Sequence, residues 1–287
     1  MRLIVGGDSA IGRNLSLYWT QNNTAHHSSS RAPGKISQYR PYLDLGKDIY
    51  LSNVAGYSSA VLCAGISHLK ECRDNPEGTR KINIEGTLML ARYLAEHGTG
   101  VILISSDRVY DGTQPHPRPD DQVNPVTEYG RQKAEAENGI LALPNCAVVR
   151  LTKVIYPGQP LLKEWITSLK AGRAITPFSD MWFAPVPMDS VVRLIDRIIK
   201  RGMGGIWHLS STFEITYQNA ASQISEILGA NQNLIKPIPF LDNKKLTDVD
   251  APRYTALDME KTLDFGVPPI DPTETIHNTI CSSEMGD

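Results

Sequence analysis

The 287-residue sequence predicts an α/β protein, with a doubly wound parallel sheet and a smaller α/β lobe in the second half of the chain. Two observations carry this prediction. Short apolar runs alternate with segments of helical periodicity in the first half, which is typical of parallel strands that helices cover on both faces. After about residue 156, prolines interrupt the chain often and the predicted elements become shorter.

The first half provides strands and helices in alternation, and right-handed crossovers would wind them into one sheet. The first helix is expected to bury Ile11, Leu15 and Tyr18 on one face. The predicted strands are 2–5, 60–64, 101–104 and 147–149, and the longer predicted helices are 82–96 and 128–141.

The second half is expected to form a separate lobe. We place the first domain at residues 1–156 and the second lobe at 157–287, with helices at 161–169 and 191–199. An apolar strand near 205–211 is expected to rejoin the first sheet.

Charge and cysteine content argue against several classes of protein. Lys and Arg total 29 and Asp and Glu total 31, so the formal charge is -2 and no general field attracts nucleic acid or an anionic membrane. No apolar run approaches the ~20 residues that span a bilayer. We therefore expect a cytoplasmic protein without a nucleic-acid partner, a membrane partner or a metal site. The cysteines show no metal-ligand spacing; they are Cys63, Cys72, Cys146 and Cys281.

A glycine-rich turn follows the first predicted strand. Gly6 permits the tight turn and Gly12 lets the next helix approach the strand, so that backbone N–H groups and the helix dipole face a phosphate. Ser9 replaces the middle glycine of a G-x-x-G-x-x-G pattern, and its hydroxyl can donate a hydrogen bond to that phosphate. The turn predicts dinucleotide binding by Gly6, Ser9, Ala10, Ile11 and Gly12, and an ordinary glycine turn is the alternative.

The residues just past the second strand should select the cofactor. A carboxylate at this point binds a ribose 2′-hydroxyl, whereas a guanidinium suits a 2′-phosphate. Here Ser30 and Arg31 stand in a stretch with three serines and no acid, which favours NADPH, with NADH as the alternative. Asp44 and Leu45 are expected to end a third strand, where an acid can reach the adenine amino group.

Tyr129 and Lys133 lie four residues apart, on one face of a predicted helix. The strand before this helix ends in Ser106 and Asp107, at the sheet edge where ligands bind. A free tyrosine has a pKa of ~10, and we expect the Lys133 ammonium to lower the pKa of Tyr129 by favouring the phenolate. Ser106 would hydrogen-bond a substrate carbonyl while Tyr129 delivers a proton. A plain amphipathic helix pair is the alternative.

With these motifs, nearly the whole chain resembles the extended short-chain dehydrogenase/reductase family, in its dTDP-4-dehydrorhamnose reductase-like branch. Asn83 is similar to the family's helix asparagine, and Cys63-Ala64-Gly65 resembles the strand segment that lines its cofactor. The stretch 105–112 resembles the (S/T)-D-x-V-(F/Y)-D-G signature of the branch. Arg108 stands where the related dehydratases carry a glutamate, which argues against dehydration.

The resemblance implies an NADPH-dependent reductase that acts on a nucleotide-linked 4-keto-6-deoxysugar. Ser106, Asp107, Tyr129 and Lys133 would form the catalytic set. Tyr129 and Lys133 would also contact the cofactor, together with the residues of the glycine turn and with Ser30, Arg31, Asp44, Leu45, Cys63, Ala64, Gly65 and Asn83. The second lobe would bind the sugar nucleotide, with Arg253 on the diphosphate and Trp165 and Trp182 stacking on the base or sugar. A homodimer is an open alternative to a monomer.

Two other functions stay open at this point. Some relatives with this fold bind NADP but serve another enzyme, as does the regulatory subunit of methionine adenosyltransferase. Such a protein would bind NADPH without turnover. A nucleotide-sugar epimerase would instead retain its nicotinamide cofactor through purification and would need none added.

Overall fold

The computed structural model describes residues 1–47, 56–242 and 251–284. These residues divide into two compact units, each assembled from separate segments of the chain. The first unit comprises Met1–Tyr110, Gln122–Arg150 and Val191–Trp207. The second unit comprises Asp111–Asp121, Leu151–Ser190 and His208–Asp287. The sequence analysis placed a boundary near residue 156 and expected a strand near 205–211 to rejoin the first sheet. In the structure Val191–Trp207 belongs to the first unit, and the earlier segment Asp111–Asp121 belongs to the second.

Ten strands and ten α-helices are assigned in the described ranges. The strands are β1 (Arg2–Val5), β2 (His26–Ser28), β3 (Ser59–Leu62), β4 (Gly100–Ser106), β5 (Cys146–Leu151), β6 (Lys153–Ile155), β7 (Trp182–Phe183), β8 (Pro185–Pro187), β9 (Gly205–Leu209) and β10 (Ile215–Thr216). The helices are α1 (Ala10–Gln21), α2 (Leu69–Asp74), α3 (Pro76–Arg80), α4 (Thr87–Glu96), α5 (Glu128–Leu141), α6 (Pro160–Lys170), α7 (Met188–Arg201), α8 (Tyr217–Ile227), α9 (Glu260–Asp264) and α10 (Pro272–Glu284).

Six strands form one sheet in the order β2-β1-β3-β4-β5-β9. The pairs β1–β2, β1–β3 and β3–β4 are parallel, and their register places Val5, Leu62 and Leu103 side by side. The loops that follow β1, β3 and β4 therefore begin at the same edge of the sheet. The doubly wound α/β fold predicted from the sequence is confirmed.

The helices of the first unit depart from the predicted pattern in two places. Helix α1 buries Gly12, Leu15 and Trp19, whereas the expected Ile11 and Tyr18 are only half-buried. The buried stripe is therefore shifted by one residue at each end, because Gly12 lets the helix approach the sheet closely. The predicted helix 82–96 begins with a wide π-helical turn, Lys81–Gly86, before α4.

Short elements build the second unit around their own apolar core. Strands β6 and β8 pair in parallel, and β7 pairs antiparallel with β10. The core side chains come mainly from α6, α8 and α10. Thr216 and Asn219 form a reciprocal capping box at the start of α8. Within the described ranges, no helix is both long and apolar enough to cross a membrane.

A buried ion pair joins α5 to β5 in the core of the first unit. The Arg150 Nη2 atom lies 2.8 Å from Glu137 Oε2, and the two side chains are only 3% and 2% exposed. Ser105 donates a hydrogen bond to Glu137, and Arg150 donates one to the Tyr110 hydroxyl. These bonds satisfy both charges, so that β4, β5 and α5 are held by one polar network.

Replacing Arg150 by Met should destabilise the protein by ~3–5 kcal/mol, because the Glu137 carboxylate would be left buried without its counter-charge. Urea unfolding would measure the change. A double variant, Arg150→Met with Glu137→Leu, should recover much of that loss, since it removes both charges.

The exposed pair Arg80–Glu135 provides the control, since its side chains are 45% and 47% exposed. Arg80→Met should cost far less than Arg150→Met, because water screens and solvates an exposed partner. Equal losses for the two single variants would contradict the role given to the buried pair.

Candidate functional site

The glycine turn connects β1 to α1 and has the backbone that the sequence predicts. Gly6 has φ +84°, a conformation that favours glycine. A Cβ on Gly12 would stand 2.3 Å from the Gly6 carbonyl oxygen, so the helix can start here only with glycine at this position. Ser9 is the N-cap of α1, and its Oγ accepts a hydrogen bond from the Gly12 N–H at 3.0 Å. The Ser9 hydroxyl keeps its own proton to donate.

The start of α1 suits a phosphate. The first N–H groups of an α-helix have no partner within the helix, and Ser9 takes only that of Gly12. The N–H groups of Ala10 and Ile11 are left for an anion, and the first turn of α1 carries no acidic residue. The residues present therefore fit the pyrophosphate of a dinucleotide.

A charged cluster lies beside this turn. Asp8 Oδ2 accepts a hydrogen bond from Ser30 Oγ at 2.5 Å, and Oδ1 lies 2.9 Å from Lys35 Nζ and 3.0 Å from Arg40 Nη2. We call these four residues the Asp8 cluster. Of the two residues predicted to select the cofactor, Ser30 belongs to the cluster, whereas Arg31 is exposed beside it.

The sequence analysis missed Asp8, Lys35 and Arg40. Residues 39–43 turn back along the end of β2, with Ser30 N–H bonded to the Pro41 carbonyl and Leu43 N–H bonded to that of Ser30. This return brings Arg40 to the glycine turn. The sequence does show several basic residues after β2, namely Arg31, Lys35 and Arg40. The prediction considered only the first few residues past the strand and so named Arg31 alone.

The third strand expected to end at Asp44 and Leu45 is reduced to one parallel bridge, between Ser30 and Tyr42. Asp44 is half-buried, and its Oδ1 accepts a hydrogen bond from Gly46 N–H. Leu45 is 6% exposed and packs in the core. The side chain of Leu45 is therefore part of the core, and a contact of this residue with the cofactor stays a prediction.

Asn83 holds the loop that follows β3. Its Oδ1 accepts from Ile66 N–H at 2.7 Å, and its Nδ2 donates to the Ile66 carbonyl at 2.9 Å and to Gln132 Oε1 at 2.8 Å. Asn83 therefore positions this loop and α5 rather than presenting free polar atoms. Cys63, at the start of the loop, has its pKa raised to about 12 by burial, so its thiol stays protonated.

Ser106 and Asp107 follow β4 at the same edge of the sheet. The Ser106 hydroxyl donates to Asp107 Oδ1 at 2.8 Å, and it also lies within hydrogen-bonding reach of Tyr129. Tyr129 is on the first turn of α5, which Thr127 caps by accepting from Gly130 N–H. The structure thus brings Ser106, Asp107 and Tyr129 together.

Lys133 lies one turn further along α5 and is buried. Its Nζ donates to the Ile104 carbonyl at 2.9 Å and stands 6.0 Å from the centre of the Tyr129 ring. A Cβ on Gly65 would lie 3.9 Å from the same Nζ, so the ammonium also faces the loop after β3. All four predicted catalytic residues therefore meet within the first unit.

The pKa relation between Tyr129 and Lys133 differs from the expectation. Burial raises the pKa of Tyr129, and the negative charge of Asp107 raises it further. Burial lowers the pKa of Lys133 to about 8, although the Glu137 carboxylate opposes that shift. Desolvation of the phenolate outweighs the expected help from Lys133, so Tyr129 is a neutral phenol at pH 7.

The predicted substrate residues lie in the second unit. Trp165 is 6% exposed and packs in its core against Tyr217, which corrects the expectation of a stacking contact with substrate. The Arg253 guanidinium lies 4.6 Å from the centre of the Trp182 ring and 4.9 Å from that of Tyr254. Arg253 is exposed and Trp182 half-buried, so both are accessible.

Known proteins show related sequences and folds. A dTDP-4-keto-6-deoxy-D-glucose reductase from Streptomyces niveus is 24% identical over 217 residues, which span 74% of this chain and 75% of that protein. The methionine adenosyltransferase 2 subunit beta of Bos taurus is 25% identical over 280 residues, 92% of this chain and 82% of that subunit. The crystal structure of a Bacillus anthracis dTDP-4-dehydrorhamnose reductase in complex with NADP superposes with a TM-score of 0.85 at 18% identity, covering 98% of each chain.

The family described as RmlD substrate binding domain matches residues 1–283, which is almost the entire chain and includes every residue of the site described above. The protein therefore belongs to the RmlD substrate binding domain family.

Proposed function

We propose that the protein is an NADPH-dependent reductase of a nucleotide-linked 4-keto-6-deoxysugar, with NADH as a second cofactor. The observation that carries this proposal is the meeting of Ser106, Tyr129 and Lys133 at the carboxyl edge of β4, in the same unit as the phosphate-binding turn. The family membership and the reductases among the relatives support it.

The cofactor would be held by the glycine turn and by the residues at the end of β2. The N–H groups of Ala10 and Ile11 and the Ser9 hydroxyl suit the pyrophosphate, whereas Lys35 and Arg40 suit a 2′-phosphate. A bound nicotinamide nucleotide supplies the hydride for carbonyl reduction.

The protein's own residues supply the proton. Because the pKa of Tyr129 is raised, its phenol is protonated at neutral pH and can donate to the carbonyl oxygen of the substrate. The Ser106 hydroxyl can donate to the same oxygen when it rotates its proton away from Asp107 Oδ1. The Lys133 ammonium stabilises the phenolate that remains, since a positive charge close to Tyr129 favours its ionised form.

Arg253 and Trp182 are the proposed substrate contacts in the second unit. A guanidinium offers a fork of donors for a diphosphate, and Trp182 holds its planar face against Arg253. The ring therefore restricts the guanidinium to one orientation, which lowers the entropy cost of binding the diphosphate.

A regulatory subunit is the second candidate, because the methionine adenosyltransferase relative aligns over 92% of this chain. The presence of Ser106, Tyr129 and Lys133 favours the reductase. Loss of NADPH absorbance with a panel of nucleotide 4-keto-6-deoxysugars separates the two candidates: turnover supports a reductase, and tight NADPH binding without turnover on any sugar supports the regulatory role.

Tyr129→Phe should reduce kcat by ~10²–10⁴-fold with one active sugar, because it removes the proton donor and little else. NADPH oxidation under saturating substrate measures the change. Tyr93→Phe, on α4, is the matched control and should keep wild-type kcat. A Tyr129→Phe enzyme that retained full kcat would contradict the assignment.

Lys133 should set an alkaline limit on activity. Its pKa of about 8 means that the ammonium is lost as pH rises through that value, while Tyr129 stays neutral. We expect kcat/KM for NADPH to fall above about pH 8, since this ratio reports the ionisations of the free enzyme.

Lys133→Arg tests this assignment, because a guanidinium does not lose its proton in this range. The residual activity of the variant should lack the fall near pH 8. If the fall persists unchanged in Lys133→Arg, another group is responsible for it.

Arg253→Gln should raise KM for the sugar nucleotide by about tenfold, the effect of ~1.4 kcal/mol of lost binding, with a smaller change in kcat. Steady-state kinetics at saturating NADPH would measure both constants. Arg173→Gln removes another exposed guanidinium of the second unit and serves as the control. Equal KM values for the two variants would remove Arg253 from the substrate site.

A further inference from the structure

The Asp8 cluster combines an acid and two bases at one place. Asp8 comes from the turn between β1 and α1, and Ser30 is the second residue after the end of β2. In dinucleotide-binding folds the adenosine ribose lies near these two points, where a carboxylate binds the 2′-hydroxyl of NADH and a basic residue binds the 2′-phosphate of NADPH. This chain presents both kinds of group.

The carboxylate of the Asp8 cluster belongs to the glycine turn and not to the end of the second strand. The usual carboxylate lies at the end of the second strand, whereas here that position holds Ser30. The Asp8 carboxylate reaches the Ser30 hydroxyl from the glycine turn, so the function of the strand-end acid can be performed by a residue of the turn.

The two bases are already directed toward the acid. Lys35 Nζ and Arg40 Nη2 both lie within 3.0 Å of Asp8 Oδ1. A 2′-phosphate that bound Lys35 and Arg40 would also lie close to the Asp8 carboxylate, which would repel it. Among the described residues, the buried Arg40 Nε has no hydrogen-bond partner, so the guanidinium retains a donor that Asp8 does not use.

The cluster is accessible to a ligand. The side chains of Asp8, Arg40 and Lys35 are 34%, 33% and 59% exposed. Ion pairs of this exposure contribute little to stability, so the cluster is poorly explained as a device for folding. The hydrogen bond from Ser30, with the help of Lys35, holds the pKa of Asp8 below its usual value, and the carboxylate is charged at neutral pH.

We propose that Asp8 is a specificity-determining residue that restrains the preference for NADPH: its carboxylate accepts a hydrogen bond from the ribose 2′-hydroxyl of NADH and opposes the 2′-phosphate that Ser30, Lys35 and Arg40 would otherwise bind. The inference rests on the proposed use of a nicotinamide dinucleotide. It adds that the wild-type protein uses both cofactors because opposite charges compete within the Asp8 cluster.

Asp8→Asn tests the proposal, since it removes the charge and keeps the size of the side chain. Isothermal titration calorimetry would give the Kd of NADPH and of NADH for the purified full-length protein. We expect NADPH to bind about tenfold or more tightly in the variant, a change of ~1.4 kcal/mol. NADH should bind more weakly, because the variant loses the charged acceptor for the ribose 2′-hydroxyl.

Asp74→Asn is the matched control, because Asp74 is an exposed carboxylate that also pairs with a lysine, Lys70. It should leave both Kd values unchanged. Lys35→Gln gives a second, opposite test, and it should weaken NADPH binding while it leaves NADH binding nearly unchanged.

The outcomes separate this inference from the proposed function. If the wild-type protein turns over a sugar but Asp8→Asn binds NADPH with the wild-type Kd, the role of Asp8 is overturned and the proposed function stands. Weaker NADPH binding in Asp8→Asn would overturn it as well, since the carboxylate would then be supporting the phosphate site. Failure of the wild-type protein to bind either nucleotide would overturn both proposals.

Discussion

The buried ion pair between Glu137 and Arg150 is the interaction on which the candidate site depends. Glu137 lies on α5, one turn after Lys133 and two turns after Tyr129, and it accepts the hydrogen bond of Ser105, the neighbour of Ser106. The pair therefore fixes the helix that carries two of the predicted catalytic side chains, Tyr129 and Lys133, against the strand that carries Ser106. It also supplies the negative charge that keeps the pKa of Lys133 from falling further.

Anion recognition in this protein is local. A formal charge of -2 gives the whole chain no attraction for phosphates, and the proposed binding groups are the start of α1 and the residues past β2. These two places act together, since Gly7 N–H bonds to the Ser29 carbonyl and Gly6 N–H bonds to the Ser29 Oγ. The turn that carries Asp8 is therefore hydrogen-bonded directly to the residues past β2.

The sequence predicted the elements whose pattern is local and regular. Strand β1 and helix α5 begin and end where the apolar runs and the helical periodicity place them. The predicted catalytic set could also be proposed from the sequence, because Ser106 ends β4 and both Tyr129 and Lys133 lie on α5, and both elements are predictable. The Asp8 cluster was not, because its contacts depend on how residues 39–43 return along β2, and no local pattern encodes that path. Trp165 was misplaced for a similar reason, since a tryptophan in a core and one in a ligand site look alike in a sequence.

The lowered pKa of Lys133 reduces the stability of the folded protein at neutral pH. Burial lowers the pKa of Lys133 from its ordinary value of 10.5 to about 8. Below about pH 8 Lys133 is protonated in both the folded and the unfolded chain, and the shift then lowers the free energy of unfolding by ~3 kcal/mol. This cost disappears as pH rises from about 8 to about 10.5, because the unfolded chain then binds more protons than the folded one. The free energy of unfolding therefore increases over the pH range in which the Lys133 ammonium, to which we assign a catalytic role, is lost. A buried lysine with these opposite consequences is poorly explained by packing, and the proposed role of its positive charge beside Tyr129 would account for it.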